Sequence, residues 1–223
     1  MVNIILQHFD GVLRPLDKLS MANMQEYAKM VGAEYRLVTG KPFNPKLTAP
    51  CQKLQMIQKE FDKYDDVLMV DIDMFAPKGM NINVFEEQGV GMYHTTQKML
   101  HRKLVQQYPL LTSAHAPYWG GAIYKMGKKL RIALREADTL SNAWMENFNK
   151  PYHFEDEGIF HVLALRAGIN YRGTFLDPKW CQCSFLPNPQ DAGFIHVRTK
   201  IKPEGPKREK MENYQQLVDE GIL

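Results

Sequence analysis

Apolar positions along the first third of the chain group into short continuous runs that alternate with helical patterns. Residues 2–7 and 67–70 are short, mainly apolar runs, which are typical of buried strands. Residues 20–31 carry apolar side chains at helical spacing, and Gly32 follows where that helix would end. Residues 34–38 predict a second strand. The alternation of strand, helix and strand predicts an α/β protein with parallel strand pairing.

The same kinds of pattern continue to the end of the chain. Further strands are predicted over residues 90–93, 116–124, 169–172, 175–176 and 193–200. Helices are predicted over residues 51–63, 97–107, 127–148, 155–167 and in the C-terminal tail. We expect residues 1–203 to form a single domain with a Rossmann-like mixed central sheet flanked by helices. Residues 204–223 form a charged segment whose helix is expected to pack on that domain.

The amino-acid composition indicates the broad class of protein to which this chain belongs. Of the 223 residues, 44% are hydrophobic and 24% are charged, which is ordinary for a soluble globular domain. The 28 basic and 25 acidic residues leave a net charge of +3, which does not indicate a nucleic-acid-binding surface. The amino terminus lacks a basic leader, and no apolar window is long enough to span a membrane. The sequence therefore predicts a cytoplasmic protein with neither a signal peptide nor a membrane span.

The cysteines do not predict a disulfide framework. There are three, Cys51, Cys181 and Cys183, and an odd number without framework spacing is typical of a reducing compartment. Two neighbouring cysteines without histidine partners are too few for a tetrahedral zinc site. All three are expected to be ordinary residues.

Asp71 and Asp73 come directly after the apolar run at residues 67–70. In an extended chain, residues i and i+2 project to the same side, so the two carboxylates can converge on one small volume. Their repulsion would raise one pKa unless a cation lay between them. Oxygen ligands of this kind suit Mn²⁺ or Mg²⁺. The alternative is a pair of loop acids that merely follow a strand, and the pattern leaves both readings open.

Two further segments carry candidate chemistry. Gly120 and Gly121 lie between aromatic residues, which indicates either a close approach of the backbone to another group or a β-bulge. Glu155, Asp156 and Glu157 form a second acidic cluster at the start of a predicted helix. Interaction with the helix dipole is a sufficient structural reason for acids at that position, and a catalytic role is the alternative.

His196 ends an apolar run and is followed closely by Arg198 and Lys200. A lone histidine is usually structural. One with two cations nearby could serve a metal ion and a phosphate together.

These pieces, in this order, resemble the glycosyltransferases of the GT-A fold, over roughly residues 2–203. The stretches that carry the resemblance are residues 23–28 with 32–35, Lys53, Asp71-Ile72-Asp73, Trp119-Gly120-Gly121-Ala122-Ile123, Glu155-Asp156-Glu157-Gly158, and Gly193-Phe194-Ile195-His196 with Lys200, Lys202 and Pro203.

Four of these stretches are similar to known motifs of that family. Asp71-Ile72-Asp73 matches the Asp-x-Asp motif, and the Trp119 stretch is similar to the aromatic-x-Ala/Ser-Gly strand beside the donor sugar. The Glu155 stretch is similar to the Asp-Gln or Asp-Glu pair that opens the next helix. The His196 stretch looks like a degenerate His-x-x-Gly-x-x-Lys-Pro motif. It departs from the motif at Thr199, where the family has glycine, and in having no Trp after Pro203.

The resemblance implies an activity: metal-dependent transfer of a sugar from a nucleoside diphosphate sugar, most simply a UDP-sugar, to a glycan or other hydroxyl acceptor, with retention of configuration. It implies Mn²⁺ or Mg²⁺ as cofactor. The expected partners are the donor and the glycan, with no nucleic acid and no membrane span. A virus-encoded or bacterial polysaccharide-type enzyme would fit the lack of a membrane anchor.

The resemblance also assigns residues to roles. The implied metal ligands are Asp71, Asp73 and His196. The implied donor-binding residues are Gln7, His8, Phe9, Lys53, Ile72, Trp119, Gly120, Gly121, Lys200 and Lys202. The implied catalytic carboxylate is Asp156, with Glu155 or Glu157 next. For residues 7–9, an ordinary turn after the first strand is an equally good reading.

Three other functions use similar sequence features. A phosphatase of the haloacid dehalogenase type is excluded, because His8 stands where that chemistry needs an aspartate nucleophile. A sugar-phosphate nucleotidyltransferase normally needs a glycine-rich basic loop after the first strand. Residues 7–11 contain one glycine, and this enzyme class is kept as an alternative. A non-catalytic module that binds sugar nucleotides is also left open.

Overall fold

A mixed sheet flanked by helices forms the centre of the protein, and the predicted fold class is confirmed. The computed structural model describes residues 2–94, 117–137, 155–185, 191–199 and 208–223. Its strands are β1 (Asn3–Phe9), β2 (Glu34–Thr39), β3 (Asp66–Val70), β4 (Met74–Phe75), β5 (Gly91–His94), β6 (Tyr118–Gly127), β7 (Gln182–Cys183) and β8 (Ile195–His196). Its α-helices are α1 (Pro15–Met30), α2 (Lys128–Ala137), α3 (Glu155–Arg166) and α4 (Lys210–Asp219).

The central sheet has five strands in the order β2-β1-β3-β6-β5. β1 pairs parallel with both β2 and β3, so these three strands end at the same edge. β6 pairs antiparallel with β3, and Val70 at the end of β3 lies opposite Ile123 near the start of β6. The carboxyl ends of the parallel strands therefore meet the amino end of β6.

A second, smaller sheet has the order β4-β8-β7. β4 follows β3 after a short turn and pairs antiparallel with β8, which places Met74 opposite His196. β7 pairs parallel with β8. This small sheet carries a segment from late in the chain to the edge where the central strands end.

The core lies on both faces of the central sheet, as expected for strands that read as continuous apolar runs. Val67 and Met69 of β3 face one side and pack into a cluster that includes Phe160 of α3. Leu68 and Val70 face the other side and pack into a cluster that includes Met24 of α1. β3 is thus fixed from both faces, and so is the turn that follows it.

Several element predictions are corrected by the structure. Residues 51–63 do not form one α-helix but two 3₁₀ helices, Pro50–Ile57 and Lys59–Phe61. The first of these is buried on every side, so packing rather than an amphipathic pattern determines its form. The predicted strand at residues 169–172 is wrong, because the chain turns at Gly173, whose φ is +75°. At residues 175–176 only an isolated bridge from Phe175 to Gly91 forms.

Other elements differ in extent. Helix α1 begins earlier than predicted, at Pro15, because the Asp17 carboxylate in its first turn accepts hydrogen bonds from the backbone N–H and the guanidinium of Arg14. The strand expected over residues 193–200 is confined to Ile195–His196. The helix expected at residues 97–107, and the part of the 127–148 helix beyond Ala137, lie outside the described residues.

The C-terminal segment includes α4, whose Leu217 is buried in a cluster with Leu16, Phe75 and Ile195. Within the described ranges, none of the helices is both long and apolar enough to cross a lipid bilayer.

Candidate metal and catalytic site

A cavity of about 520 Å³ lies where β1 and β3 end. This is the edge at which open α/β sheets usually bind ligands. The residues that line the cavity include His8, Phe9, Arg14, Lys53, Asp71, Ile72, Asp73, Tyr93, His94, Gly120, Gly121, Asp156, Glu157, Cys181, Cys183, His196, Arg198 and Lys210.

Asp71, Asp73 and His196 form a compact cluster in this cavity. Each offers one ligand atom, and these atoms lie within 4.8 Å of one another. His196 Nε2 is 3.1 Å from Asp73 Oδ1 and 3.9 Å from Asp71 Oδ2. Two carboxylates and an imidazole are a ligand set that divalent cations such as Mn²⁺ accept. The cluster is therefore a possible divalent-metal site.

Backbone hydrogen bonds build this cluster from distant parts of the chain. The Asp71 N–H donates to the Ala122 carbonyl at 3.0 Å, which ties the turn to β6. The Val197 N–H donates to the Asp73 carbonyl at 2.9 Å, which ties the same turn to the end of β8. His196 is positioned by the β4–β8 pairing described above.

The electrostatics of the cluster reflect dense pairing of acids with bases. Burial would raise the pKa of Asp73, but its hydrogen bond with His196 and the ammonium of Lys210 hold that pKa well below the usual range. Burial would lower the pKa of His196, but the Asp73 contact and a hydrogen bond with Cys181 raise it to about 10. Lys210 Nζ donates to Asp73 Oδ2.

Lys53 connects this cluster to the second acidic group. Its Nζ lies 2.5 Å from Asp71 Oδ1 and 3.2 Å from Asp156 Oδ2. It also donates to the Gly121 carbonyl at 2.6 Å. Burial would lower the pKa of Lys53, but the two carboxylates raise it above the usual range, so the ammonium stays charged.

Asp156 and Glu157 lie in the first turn of α3 and face the start of β6. Glu157 Oε1 accepts a hydrogen bond from the Gly121 N–H at 2.7 Å. Glu157 Oε2 is buried and has no hydrogen-bond partner among the described residues. Burial, followed by the charge of Asp156, raises the pKa of Glu157 to about 7. The pKa of Asp156 is raised as well, chiefly by burial.

The two adjacent glycines of β6 make room for polar side chains. A Cβ at Gly121 would lie 2.9 Å from Asp156 Oδ2, and a Cβ at Gly120 would lie 2.4 Å from His94 Cδ2. The pairing of β5 with β6 also shifts register between Gly91 and Met92, so the ladder is irregular opposite this segment. The expected close approach of the backbone is found, and it is to His94, Asp156 and Glu157 of the protein itself.

The residues predicted to hold a nucleotide divide into two groups. His8, Phe9 and Ile72 line the cavity, and His8 Nε2 is hydrogen-bonded to the Gly40 carbonyl at 2.7 Å. Gln7 and Trp119 are not among the residues that line it.

Gln7 and Trp119 have structural partners instead. Gln7 Nε2 donates to Ser20 Oγ at 2.9 Å and to the Asp71 carbonyl at 3.1 Å. Trp119 Nε1 donates to Thr174 Oγ1 at 3.1 Å inside the core.

Some predicted site residues lie beyond what the structure describes. Lys200 and Lys202 are outside the described residues, and so is the side chain of Glu155, whose backbone begins α3.

Sequence reasoning missed other residues of the cavity. His94, Cys181, Cys183 and Lys210 line it although no motif marks them. Cys181 makes a side-chain hydrogen bond with His196. The two cysteines are too few to mark a metal site by their spacing, and Lys210 is one of several charged residues in the C-terminal segment, so neither is distinguished by its local sequence.

Comparison with known proteins finds a similarity in structure but none in sequence. No protein-family model matches the chain, and no curated protein matches its sequence. One solved structure that it resembles is described as the crystal structure of a glycosyltransferase involved in the glycosylation of the major capsid of PBCV-1. The alignment has 12% identity and a TM-score of 0.49, and it covers 97% of this chain and 98% of that chain. A similarity of this degree does not assign an activity, so function must be inferred from the site.

Proposed function

We propose that this protein is a metal-dependent glycosyltransferase. It would move a sugar from a nucleoside diphosphate sugar, most simply a UDP-sugar, to a hydroxyl of a glycan or other acceptor. One observation carries the proposal: a cluster suited to a divalent cation, Asp71, Asp73 and His196, shares a cavity with the buried carboxylates Asp156 and Glu157. A cation can stabilise a diphosphate as it leaves an anomeric carbon, and a carboxylate can stabilise the positive charge that develops on that carbon.

The proposed cofactor is Mn²⁺ or Mg²⁺, held by Asp71, Asp73 and His196. When bound, the ion would neutralise the negative charge that the diphosphate leaving group develops. Arg198, whose side chain is exposed and lines the cavity, supplies a guanidinium for a charge-assisted phosphate contact. His8, Phe9 and Ile72, at the ends of β1 and β3, are proposed to contact the base and the ribose of the nucleotide.

Asp156 and Glu157 are proposed to act at the reacting carbon. Lys53 holds the Asp156 carboxyl group in place through an ion pair at 3.2 Å and opposes the rise in its pKa that burial causes, and we propose that the carboxylate form stabilises an oxocarbenium-like state. Burial raises the pKa of Glu157 to about 7, and its Oε2 has no hydrogen-bond partner among the described residues. Both properties suit a group that exchanges a proton with an acceptor hydroxyl. We propose retention of configuration, on the resemblance of the His196 segment to retaining families.

The first test is calorimetric titration of UDP, with and without Mn²⁺, into the wild type and Asp73→Asn. We expect binding that requires both the metal and the Asp73 carboxylate. Asp191→Asn is the matched control, because Asp191 is exposed and is not a residue of the cavity. Metal-independent binding, or no binding of either UDP or GDP, would contradict the proposal.

Turnover then separates glycosyl transfer from the two alternatives. A glycosyltransferase should release UDP from a UDP-sugar, slowly to water and faster with an acceptor. The proton NMR spectrum of the first sugar released reports whether the anomeric configuration is retained. Release of pyrophosphate from UTP and a sugar 1-phosphate would indicate a nucleotidyltransferase. Binding without either turnover would indicate a non-catalytic module.

A further inference from the structure

Lys210 brings a cation from the C-terminal helix to the acid cluster. It is the first residue of α4, and its Nζ donates to Asp73 Oδ2. The other oxygen of the same carboxylate, Oδ1, faces His196. Lys210 nevertheless lines the cavity, and its side chain is 33% exposed. The ammonium is therefore held at the acids without being enclosed by them.

Contacts further along α4 keep this ammonium in place. Lys210, Asn213 and Leu217 lie at helical spacing on one face of α4. Asn213 Nδ2 donates to the Arg198 carbonyl, two residues beyond His196, at 2.6 Å. Leu217 is 2% exposed and packs in the cluster that contains Ile195. The helix is thus attached to the strand that carries the predicted histidine ligand.

The other lysine of the cavity has no donor to spare. An ammonium has three N–H donors, and Lys53 directs them at Asp71 Oδ1, Asp156 Oδ2 and the Gly121 carbonyl. Arg14 directs two of its donors at Asp17. Lys210 has one described acceptor, Asp73, so it retains donors that can reach a ligand in the cavity.

We propose that Lys210 is a ligand of the donor's diphosphate, donating to a phosphate oxygen while it stays paired with Asp73. The proposal rests on the proposed function, because it needs a nucleoside diphosphate at the Asp71–Asp73–His196 cluster. It places a phosphate contact on α4, beyond the lysines of the degenerate motif. A charge-assisted contact of this kind discriminates a nucleoside diphosphate from the nucleoside alone.

The test compares the affinities of UDP and uridine for the full chain in the presence of Mn²⁺. UDP is titrated by calorimetry and uridine by ligand-observed NMR, into the wild type, Lys210→Met, Lys210→Gln and Lys210→Arg. Lys129→Met is the matched control, because Lys129 is exposed on α2 and does not line the cavity. Thermal unfolding of every variant shows which of them remain folded at the titration temperature.

We expect both neutral variants to raise the Kd for UDP about 10- to 100-fold and to leave the Kd for uridine unchanged. Lys210→Arg should keep most of the UDP affinity, and Lys129→Met all of it. Equal losses for UDP and uridine, or UDP affinities equal to that of Lys129→Met, would overturn the inference. Either outcome would leave the proposed function standing, because that function is tested by the binding of UDP to the wild type. A wild type that binds no UDP overturns both.

Discussion

Replacing Glu157 with glutamine should change how the stability of the protein depends on pH. The Glu157 side chain is 8% exposed, and its pKa rises from 4.5 to about 7 because of burial and the nearby Asp156 charge. An acid whose pKa is raised by folding favours the folded state while it is protonated. Its contribution is complete below pH 4.5 and is lost as the pH rises through 7.

The size of the effect follows from the two pKa values. Each pH unit between them is about 1.4 kcal/mol, because the unfolded state releases the Glu157 proton at a lower pH than the folded state does. Relative to strongly acidic pH, the free energy of unfolding is therefore lower by about 3 kcal/mol at pH 8 and by about 1 kcal/mol at pH 5. Glutamine keeps an oxygen for the Gly121 N–H but places a buried amide nitrogen where Oε2 was. That substitution has its own cost, about 1 to 3 kcal/mol, which does not depend on pH.

The comparison between two pH values removes that constant cost. We expect the free energy of unfolding of Glu157→Gln, relative to wild type, to rise by about 2 kcal/mol between pH 5 and pH 8. Urea titrations at both pH values measure it, with Glu136→Gln as control because Glu136 is exposed on α2. If the Glu157→Gln and wild-type curves run parallel across this range, the assignment of a buried, readily protonated carboxyl is refuted.

Two further predictions concern groups that the cavity holds in close contact. Lys53→Met should lower the free energy of unfolding by about 3 to 5 kcal/mol, because it leaves the buried Asp156 carboxyl group and the partly exposed Asp71 carboxylate without their cation. Lys59→Met, at an exposed position, is its control, and equal losses in urea titrations would contradict the reasoning. Gly120→Ala should cost about 1 to 3 kcal/mol through its clash with His94. Most of that cost should disappear in a His94→Ala background, so the same loss in both backgrounds would contradict the clash.

Local sequence determined the central strands, whose side chains form continuous apolar runs. The apolar runs of β1 and β3 are buried on both faces, and this read correctly as strands at the centre of a mixed α/β sheet. The acids at residues 71 and 73 come directly after β3, where they line the cavity and pair with cations instead of packing in the apolar core.

Tertiary structure decided which polar side chains reach the cavity. Gln7 is the last residue of the first predicted strand, and His8 is the first residue of the loop predicted after it. The inward direction of its side chain commits it to Ser20 and the Asp71 carbonyl, whereas His8 lines the cavity. Trp119 precedes Gly120 and Gly121 directly, yet strand alternation turns its ring into the core. Adjacent residues thus differ in whether they line the cavity or pack inside the protein, and their residue types do not predict which.

The composition of the acid cluster depends on contacts across more than a hundred residues. The Asp71–Asp73 pair is local, because both residues lie in the short turn between β3 and β4, which the Met74 N–H closes by donating to the Asp71 carbonyl. His196 reaches that pair because β8 pairs with β4, and Lys210 reaches it because Leu217 packs α4 against β8. Hydrogen bonds between strands and burial of apolar side chains stabilise these contacts only once the whole fold has formed. The sequence alone therefore determined the acids, and the tertiary structure decided which cations accompany them.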